Sequence, residues 1–267
     1  MGNADTAKPA GDSSLLQIEQ QGAVLTIGLN RPAKRNALND GIILAIGECF
    51  TSLPEDVRCV VIHGIGDNFS SGLDLSELRE RDATEGLVHS QMWHRVFDRI
   101  QYCRVPVVAA LKGAVIGGGL ELACAAHIRV AEPSAYFALP EGQRGIFVGG
   151  GGSVRLPRLI GVARMMDMML TGRVYSATEG SSYGFAQYLV EAGASMTKAM
   201  ELAAKIAGNA PLTNFAVLQA LPMIAEASPQ AGLLMESLMA TVAQSDKEAK
   251  NRIRAFLDHK TAKVKPT

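Results

Sequence analysis

The sequence has no surplus of either charge: 26 lysines and arginines stand against 26 aspartates and glutamates in 267 residues. A nucleic-acid-binding protein would ordinarily show a basic excess, so no nucleic-acid partner is expected. A small anionic ligand is still compatible, because a few local cations suffice. Long apolar runs are lacking as well. Val105–Leu111 is among the longest, and it is too short to span a bilayer. Met1–Ser14 is polar and rich in small residues, without the apolar core of a signal peptide. Cys49, Cys59, Cys103 and Cys124 are scattered and form no C-x-x-C pair. These absences lead us to expect reduced core thiols in a cytoplasmic protein with no membrane association.

Several catalytic signatures are missing. There is no G-x-x-x-x-G-K-[ST], so a phosphate-binding P-loop is unsupported. Gly64-Ile65-Gly66 lacks the third glycine of a dinucleotide fingerprint, and Gly149–Gly152 does not supply one. His63, His89, His94, His127 and His259 have no metal-ligand spacing and no neighbouring cysteine pair. They read as surface or hydrogen-bonded histidines, and no metal site is expected.

What the chain does have is enough apolar material, 48% of residues, to bury a sizeable core. Residues 15–20 and 23–30 read as two strands about the turn Gln21–Gly22. An amphipathic helix is expected from Leu38 to Leu53, with Asn39 or Asp40 as its N-cap. Cys59–His63 reads as a buried strand, Gly64–Gly72 as a loop and Gly86–Cys103 as a second long helix. Val105–Leu111 is a further strand. A helix opens at Gly117 and runs through Ala126, followed by the strand His127–Ala131. This alternation favours an α/β architecture with covered sheets. From about Met196 the text becomes helical, in four stretches broken at Asn209–Pro211, Ser228–Pro229 and Gln244–Ser245. Its Met- and Ala-rich faces suit packing on the first domain or on another subunit.

Two glycine-bearing loops fall where a strand gives way to a helix. In Phe69-Ser70-Ser71-Gly72-Leu73-Asp74-Leu75, Gly72 allows a tight turn, and the amides beyond it are free to point outward. In Gly117-Gly118-Gly119-Leu120-Glu121-Leu122, the missing side chains let a ligand approach the main chain at a helix start. Two such amides converging on one oxygen would form an oxyanion hole for a thioester carbonyl that becomes an enolate. Glu121 lies on the same helical face as the Gly118 amide. Glu141 sits in Ala138-Leu139-Pro140-Glu141-Gly142, after an extended segment. Adding water to a double bond requires one carboxylate to deprotonate water and a donor to protonate the α-carbon. Taken singly, each loop also reads as an ordinary tight turn and each glutamate as an exposed one. Arg79, Arg81, Trp93 and Phe97 read either as helix-face packing or as walls of an acyl pocket.

These motifs occur together with Leu29-Asn30-Arg31-Pro32, Asn36-Ala37-Leu38-Asn39 and Gly149-Gly150-Gly151-Gly152-Ser153 leading into Arg155-Leu156. In that order they resemble the crotonase (enoyl-CoA hydratase/isomerase) family over nearly the whole chain. The resemblance implies an α/β spiral of repeated ββα units (the ClpP/crotonase-like fold) with a C-terminal helical trimerisation region. We therefore expect a flexible segment 1–14, a spiral core 15–195 and a helical oligomerisation region 196–267, assembled as a homotrimer or a hexamer of paired trimers. By the same resemblance the backbone N–H groups of Leu73 and Gly118 form the oxyanion hole, and Glu121 and Glu141 are the catalytic pair. Lys34 and Arg35 would meet the CoA phosphates, and Ser71 and Leu73 would line the adenine and pantetheine path. Ala37, Asp74, Leu75, Gly117, Phe256 and Lys260 complete the implied contacts with substrate or CoA. Leu73 and Val148 stand where many members carry alanine and proline. Coenzyme A enters as part of an acyl-CoA thioester substrate, and no separate cofactor is implied. Two carboxylates favour a hydratase, since isomerases of the family commonly keep one. An isomerase and a non-catalytic CoA-binding subunit remain the alternatives.

Overall fold

The computed structural model describes residues 15–77 and 80–258. The expected flexible segment 1–14, together with Arg79, His259 and Lys260, lies outside the described residues. The chain divides into two compact units, the first ending at Ala207 and the second beginning at Gly208.

The first unit opens with a hairpin of β1 (Leu16–Gln21) and β2 (Val24–Leu29), antiparallel in register Leu16↔Leu29 to Gln21↔Val24. Its turn is Gly22–Ala23, one residue beyond the expected pair, because Gly22 takes the left-handed φ of +58°. Next come α1 (Asp40–Thr51), β3 (Cys59–Gly64), α2 (Ala83–Gln101), β4 (Val107–Leu111), β5 (Ala114–Ile116) and α3 (Gly118–Ala125). After these follow β6 (Ile128–Ala131), β7 (Tyr136–Ala138), α4 (Gly152–Ile160), α5 (Val162–Thr171), β8 (Tyr175–Ser176), α6 (Ala177–Tyr183), β9 (Tyr188–Leu189) and α7 (Ser195–Ala207).

The larger sheet has the order β1-β2-β3-β4-β6-β9, parallel from β2 onward. A smaller sheet, β5-β7-β8, is extended by the parallel bridges Ser70↔Val115 and Leu38↔Leu73. Passing from β4 to β5, or from β6 to β7, the chain leaves one sheet and enters the other, which gives the spiral. The strand alternation explains why the larger sheet is covered on both faces. Val60, Ile62, Val107 and Ala109 enter the main core with α1 and α2. The intervening Cys59, Val61, Val108 and Ala110 instead pack with Ala199, Leu202 and Ala203 of α7. That helix belongs to the first unit for this reason, and the break between units follows Ala207 rather than residue 195.

Local chemistry sets the element ends. Asn39 caps α1, its side chain accepting from Ile42 N at 3.0 Å. At α2, Asp82 and Glu85 form a reciprocal capping box that starts the helix at Ala83, earlier than Gly86. Strand β4 begins after Pro106, which has no N–H to give to a ladder, rather than at Val105. The second unit consists of α8 (Pro211–Glu226), α9 (Pro229–Ser245) and α10 (Lys247–Leu257), packed in sequence. Pro211 and Pro229 occupy first-turn positions, where no amide partner is needed. Among the described residues, no helix is long and apolar enough to cross a membrane.

Candidate active site

The two glycine loops meet. Gly72 has φ +87°, and a Cβ there would lie 2.6 Å from Ile116 O. No side chain fits between the loop after β3 and the turn from β5 into α3. A Cβ on Gly118 would lie 3.7 Å from Leu73 N and 2.9 Å from Trp93 Cζ3. The amides of Leu73 and Gly118 are thus neighbours, and among the described residues neither has a protein acceptor. Gly118 is the first residue of α3, where amides have no intrahelical partner. Gly117, at φ +52°, turns the chain into the helix while its own N–H bonds to Ala138 O at 2.9 Å.

Both glutamates reach the same space. A cavity of about 390 Å³ is lined by Leu73, Gly118, Glu121, Glu141, Trp93 and Phe147, among others. Glu121 projects from α3 and is 4% exposed. Its Oε1 accepts from Gly150 N at 2.8 Å and Gly152 N at 2.7 Å. Burial raises its pKa, opposed by those two amides and by the charge of Arg155. Arg155 holds the glycine run in place, donating to Gly150 O at 3.1 Å and to Asp98 Oδ1 at 2.6 Å. Glu141 follows β7 at the head of a one-turn 3-10 helix, and its backbone carbonyl accepts from Arg144 N and Ile146 N. Its carboxyl lies over Gly117, where an added Cβ would come within 2.5 Å of Oε1. Its Oε2 is buried without a partner. Burial, reinforced by the charge of Glu121, pushes the Glu141 pKa up to about 7.

The remaining residues expected from the sequence separate into groups. Ser71, Leu75 and Gly117 line the cavity, whereas Lys34, Arg35, Ala37 and Asp74 do not. Asp74 is a buried carboxylate engaged by Ser76, by Lys34 at 3.0 Å and by Arg31 at 2.8 Å. The Ser76 hydroxyl, then Lys34 and Arg31, hold it well below the usual carboxylate range. Its part is to fix the two cations beside the loop. Lys34 keeps nearly half of its side chain exposed. Ala37 is buried and gives its carbonyl to Arg31, and Arg35 takes a left-handed φ of +50°. Phe256 is an exposed residue of the second unit. Of the four candidates for the acyl wall, Arg81 and Trp93 line the cavity, while Phe97 is fully buried behind Trp93 in an edge-to-face contact.

Sequence reasoning missed two features. The run Gly149–Gly152 fails as a dinucleotide motif, yet its amides form the cradle for Glu121; the signal was a glycine cluster opening a helix, a common anion-binding arrangement. His89 is hydrogen-bonded, as read from the sequence, with Nε2 2.7 Å from Asp40 Oδ1; what was missed is its place on the cavity wall. Its spacing to Trp93, one helical turn, was the available sign.

A fold of two linked sheets that brings two outward amides and two buried carboxylates onto one cavity defines an acyl-thioester enzyme of the crotonase type. The comparisons agree. The enoyl-CoA hydratase/isomerase family model matches residues 19–266, and the chain belongs to that family. It is 34% identical to the 2,3-dehydroadipyl-CoA hydratase of Escherichia coli over 94% of this chain and 99% of that protein. It is 32% identical to the short-chain-enoyl-CoA hydratase of Clostridium acetobutylicum, covering 90% and 94%. A solved hydratase-family structure from Rhodopseudomonas palustris CGA009 superposes with a TM-score of 0.92 at 78% identity, covering 97% of this chain and all of that one.

Proposed function

We propose that this protein is a hydro-lyase that adds water across the α,β double bond of an acyl-CoA thioester. Glu121 and Glu141 act as the acid/base pair, and the amides of Leu73 and Gly118 as oxyanion donors. The observation that carries this reading is the convergence of two unpartnered amides and two buried carboxylates on one cavity. The thioester oxygen takes the two N–H groups, which strengthen as it gains enolate charge; one such donor is typically worth about 3 kcal/mol. Glu121, fixed by the Gly150 and Gly152 amides, receives a proton from water as its oxygen attacks the β-carbon. Glu141, with a pKa of about 7, is substantially protonated at neutral pH and gives its proton to the α-carbon.

Within this class we assign 3-(methylthio)acryloyl-CoA as the substrate. Trp93 and Phe147 on the cavity wall offer aromatic surface of the kind that favours thioether sulfur. Hydration at the sulfur-bearing β-carbon gives a hemithioacetal that expels methanethiol and leaves an aldehyde. A second water on the thioester releases CoA, and the resulting acid loses carbon dioxide to give acetaldehyde. The test is to incubate the protein with this thioester and, separately, with crotonyl-CoA, following free CoA, methanethiol and acetaldehyde by mass spectrometry. All three products are expected. Hydration of crotonyl-CoA alone would leave a general short-chain hydratase, and conversion of a 3-enoyl-CoA without hydration would make the enzyme an isomerase.

Assembly as a homotrimer or a dimer of trimers, in the cytoplasm, belongs to the same proposal. Leu221, Leu233, Leu234 and Leu238 on the helices of the second unit are each more than half exposed, a pattern that calls for a covering partner. Cys49, Cys59, Cys103 and Cys124 are all buried, in keeping with thiols held in the core of a protein of a reducing compartment. A monomeric mass in solution would overturn the first of these statements, and recovery outside the cytoplasmic fraction the second.

A further inference from the structure

The α2 side of the cavity is closed by residues that also face outward. His89 and Arg81 line the cavity and also border a groove of about 400 Å³ walled by Asp40, Thr84, Val88 and Met92. Along α2, Gly86, His89, Ser90 and Trp93 face the cavity, while Thr84, Val88 and Met92 face the groove. These are adjacent faces of one helix, and His89 stands at their border. Its ring is held from two sides, by Asp40 at 2.7 Å and by Trp93 with ring centroids 6.0 Å apart. Only 20% of the side chain is exposed. On another side, Ile146 and Phe147 separate the cavity from an apolar groove containing Met165, Met166 and Met169. Phe147 is 68% exposed there, too little buried to act as a fixed partition.

We propose that His89, pinned by Asp40, is a specificity-determining partition that limits the length of the acyl chain. The inference rests on the hydratase reading and adds to it the residue that makes the site short. With the ring in place, an acyl group extending past the β-carbon meets a clamped, polar imidazole. With the ring removed, the cavity opens into the groove, where Val88 and Met92 offer apolar surface to further methylenes. Arg81 stands at the same border, but His89 is the side chain clamped there by Asp40, and the groove beyond it is already formed.

The test compares kcat/KM for crotonyl-CoA and trans-2-decenoyl-CoA in the wild type, His89→Ala, His89→Asn and Phe147→Ala proteins, with circular dichroism as the folding check. We expect the long-to-short ratio to rise by at least about tenfold in His89→Ala and by a smaller factor in His89→Asn. A merely structural contact between α1 and α2 would lower both rates together and leave the ratio unchanged. An unchanged ratio in either folded His89 variant therefore overturns the proposal. So does an equal rise in Phe147→Ala, which would assign the limit to the other groove. Should His89→Ala fail to fold, His89→Asn carries the test, since it keeps a donor for Asp40 and shortens the side chain. If the wild type hydrates neither thioester and does not turn over 3-(methylthio)acryloyl-CoA, the hydratase reading itself fails and the partition falls with it. If it turns over only the last, the chain-length limit is not the one His89 sets and the partition is overturned alone.

Discussion

Glu141 Oε2 and Trp93 Nε1 are the buried side-chain polar atoms without a partner among the described residues. Leaving such an atom unpaired costs about 1–3 kcal/mol. For Glu141 the consequence is a carboxyl that holds its proton up to a pH of about 7, against an ordinary value of 4.5. A raised carboxyl pKa means that the folded state binds protons more tightly than the unfolded one. Stability from this group is therefore full below pH 4.5 and declines as pH rises to about 7. Glu141→Gln removes that dependence. Urea unfolding should show the variant gaining on the wild type between pH 5 and pH 8, by on the order of 2–3 kcal/mol. A constant difference across that range would show that burial does not hold the proton. The same variant, and Glu121→Gln, should each lower turnover by about 10²–10⁴-fold, the usual worth of a positioned acid or base. Glu121→Gln keeps an acceptor for Gly150 and Gly152, so its loss would fall on kcat with little change in stability. Both glutamates were legible in the sequence because they follow glycine or proline punctuation at strand ends. Their environments were not, because the cradle for Glu121 comes from residues 150 and 152, distant in the chain.

At the scale of elements, position depends on glycines that admit no side chain. A Cβ on Gly152 would lie 2.9 Å from Glu121 Oε1 and 2.8 Å from its Cγ. Gly152→Ala should therefore displace the carboxylate without removing it. We expect kcat for crotonyl-CoA to fall by at least about tenfold, since small misplacements of a catalytic group are costly. Stability should fall by about 1–3 kcal/mol, the usual cost of overpacking. Steady-state kinetics and urea titration on the one variant check both, and a normal kcat would mean that Glu121 need not sit where the glycine run holds it. The elements themselves were unequally legible. Cys59–Gly64 and Val107–Leu111 announced themselves as apolar β-branched runs, and the four terminal helices by the prolines and polar breaks between them. The smaller sheet did not, because β5 and β7 span three residues each and β8 two. No periodicity can be read from segments that short. They pair only because the spiral brings them together, and it is this sheet that carries Gly117 and Glu141 to the cavity.

At the scale of the whole molecule, exposed apolar side chains have to be reconciled with a chain of zero formal charge. Such a chain has little electrostatic repulsion to keep copies apart, and large exposed apolar patches usually mark interfaces. On α9, Leu234 and Leu238 are one turn apart, 62% and 56% exposed. Substituting both with glutamate removes no contact from the isolated core and introduces charge where a partner would lie. If copies of the chain cover this face, sedimentation of Leu234→Glu/Leu238→Glu should show a smaller mass than the wild type at the same concentration. Desolvating two charges in an interface is costly enough to dissociate an assembly of moderate affinity. If the mass is unchanged and still oligomeric, α9 faces solvent in the assembly and the contact lies elsewhere. The kinetic readout separates the two functions of the chain. Glu121, Glu141, Leu73 and Gly118 all belong to the unit that ends at Ala207. The dissociated variant should therefore retain hydration of crotonyl-CoA if one copy supplies the whole site. Loss of turnover on dissociation, with the fold intact by circular dichroism, would mean that a neighbouring copy completes it.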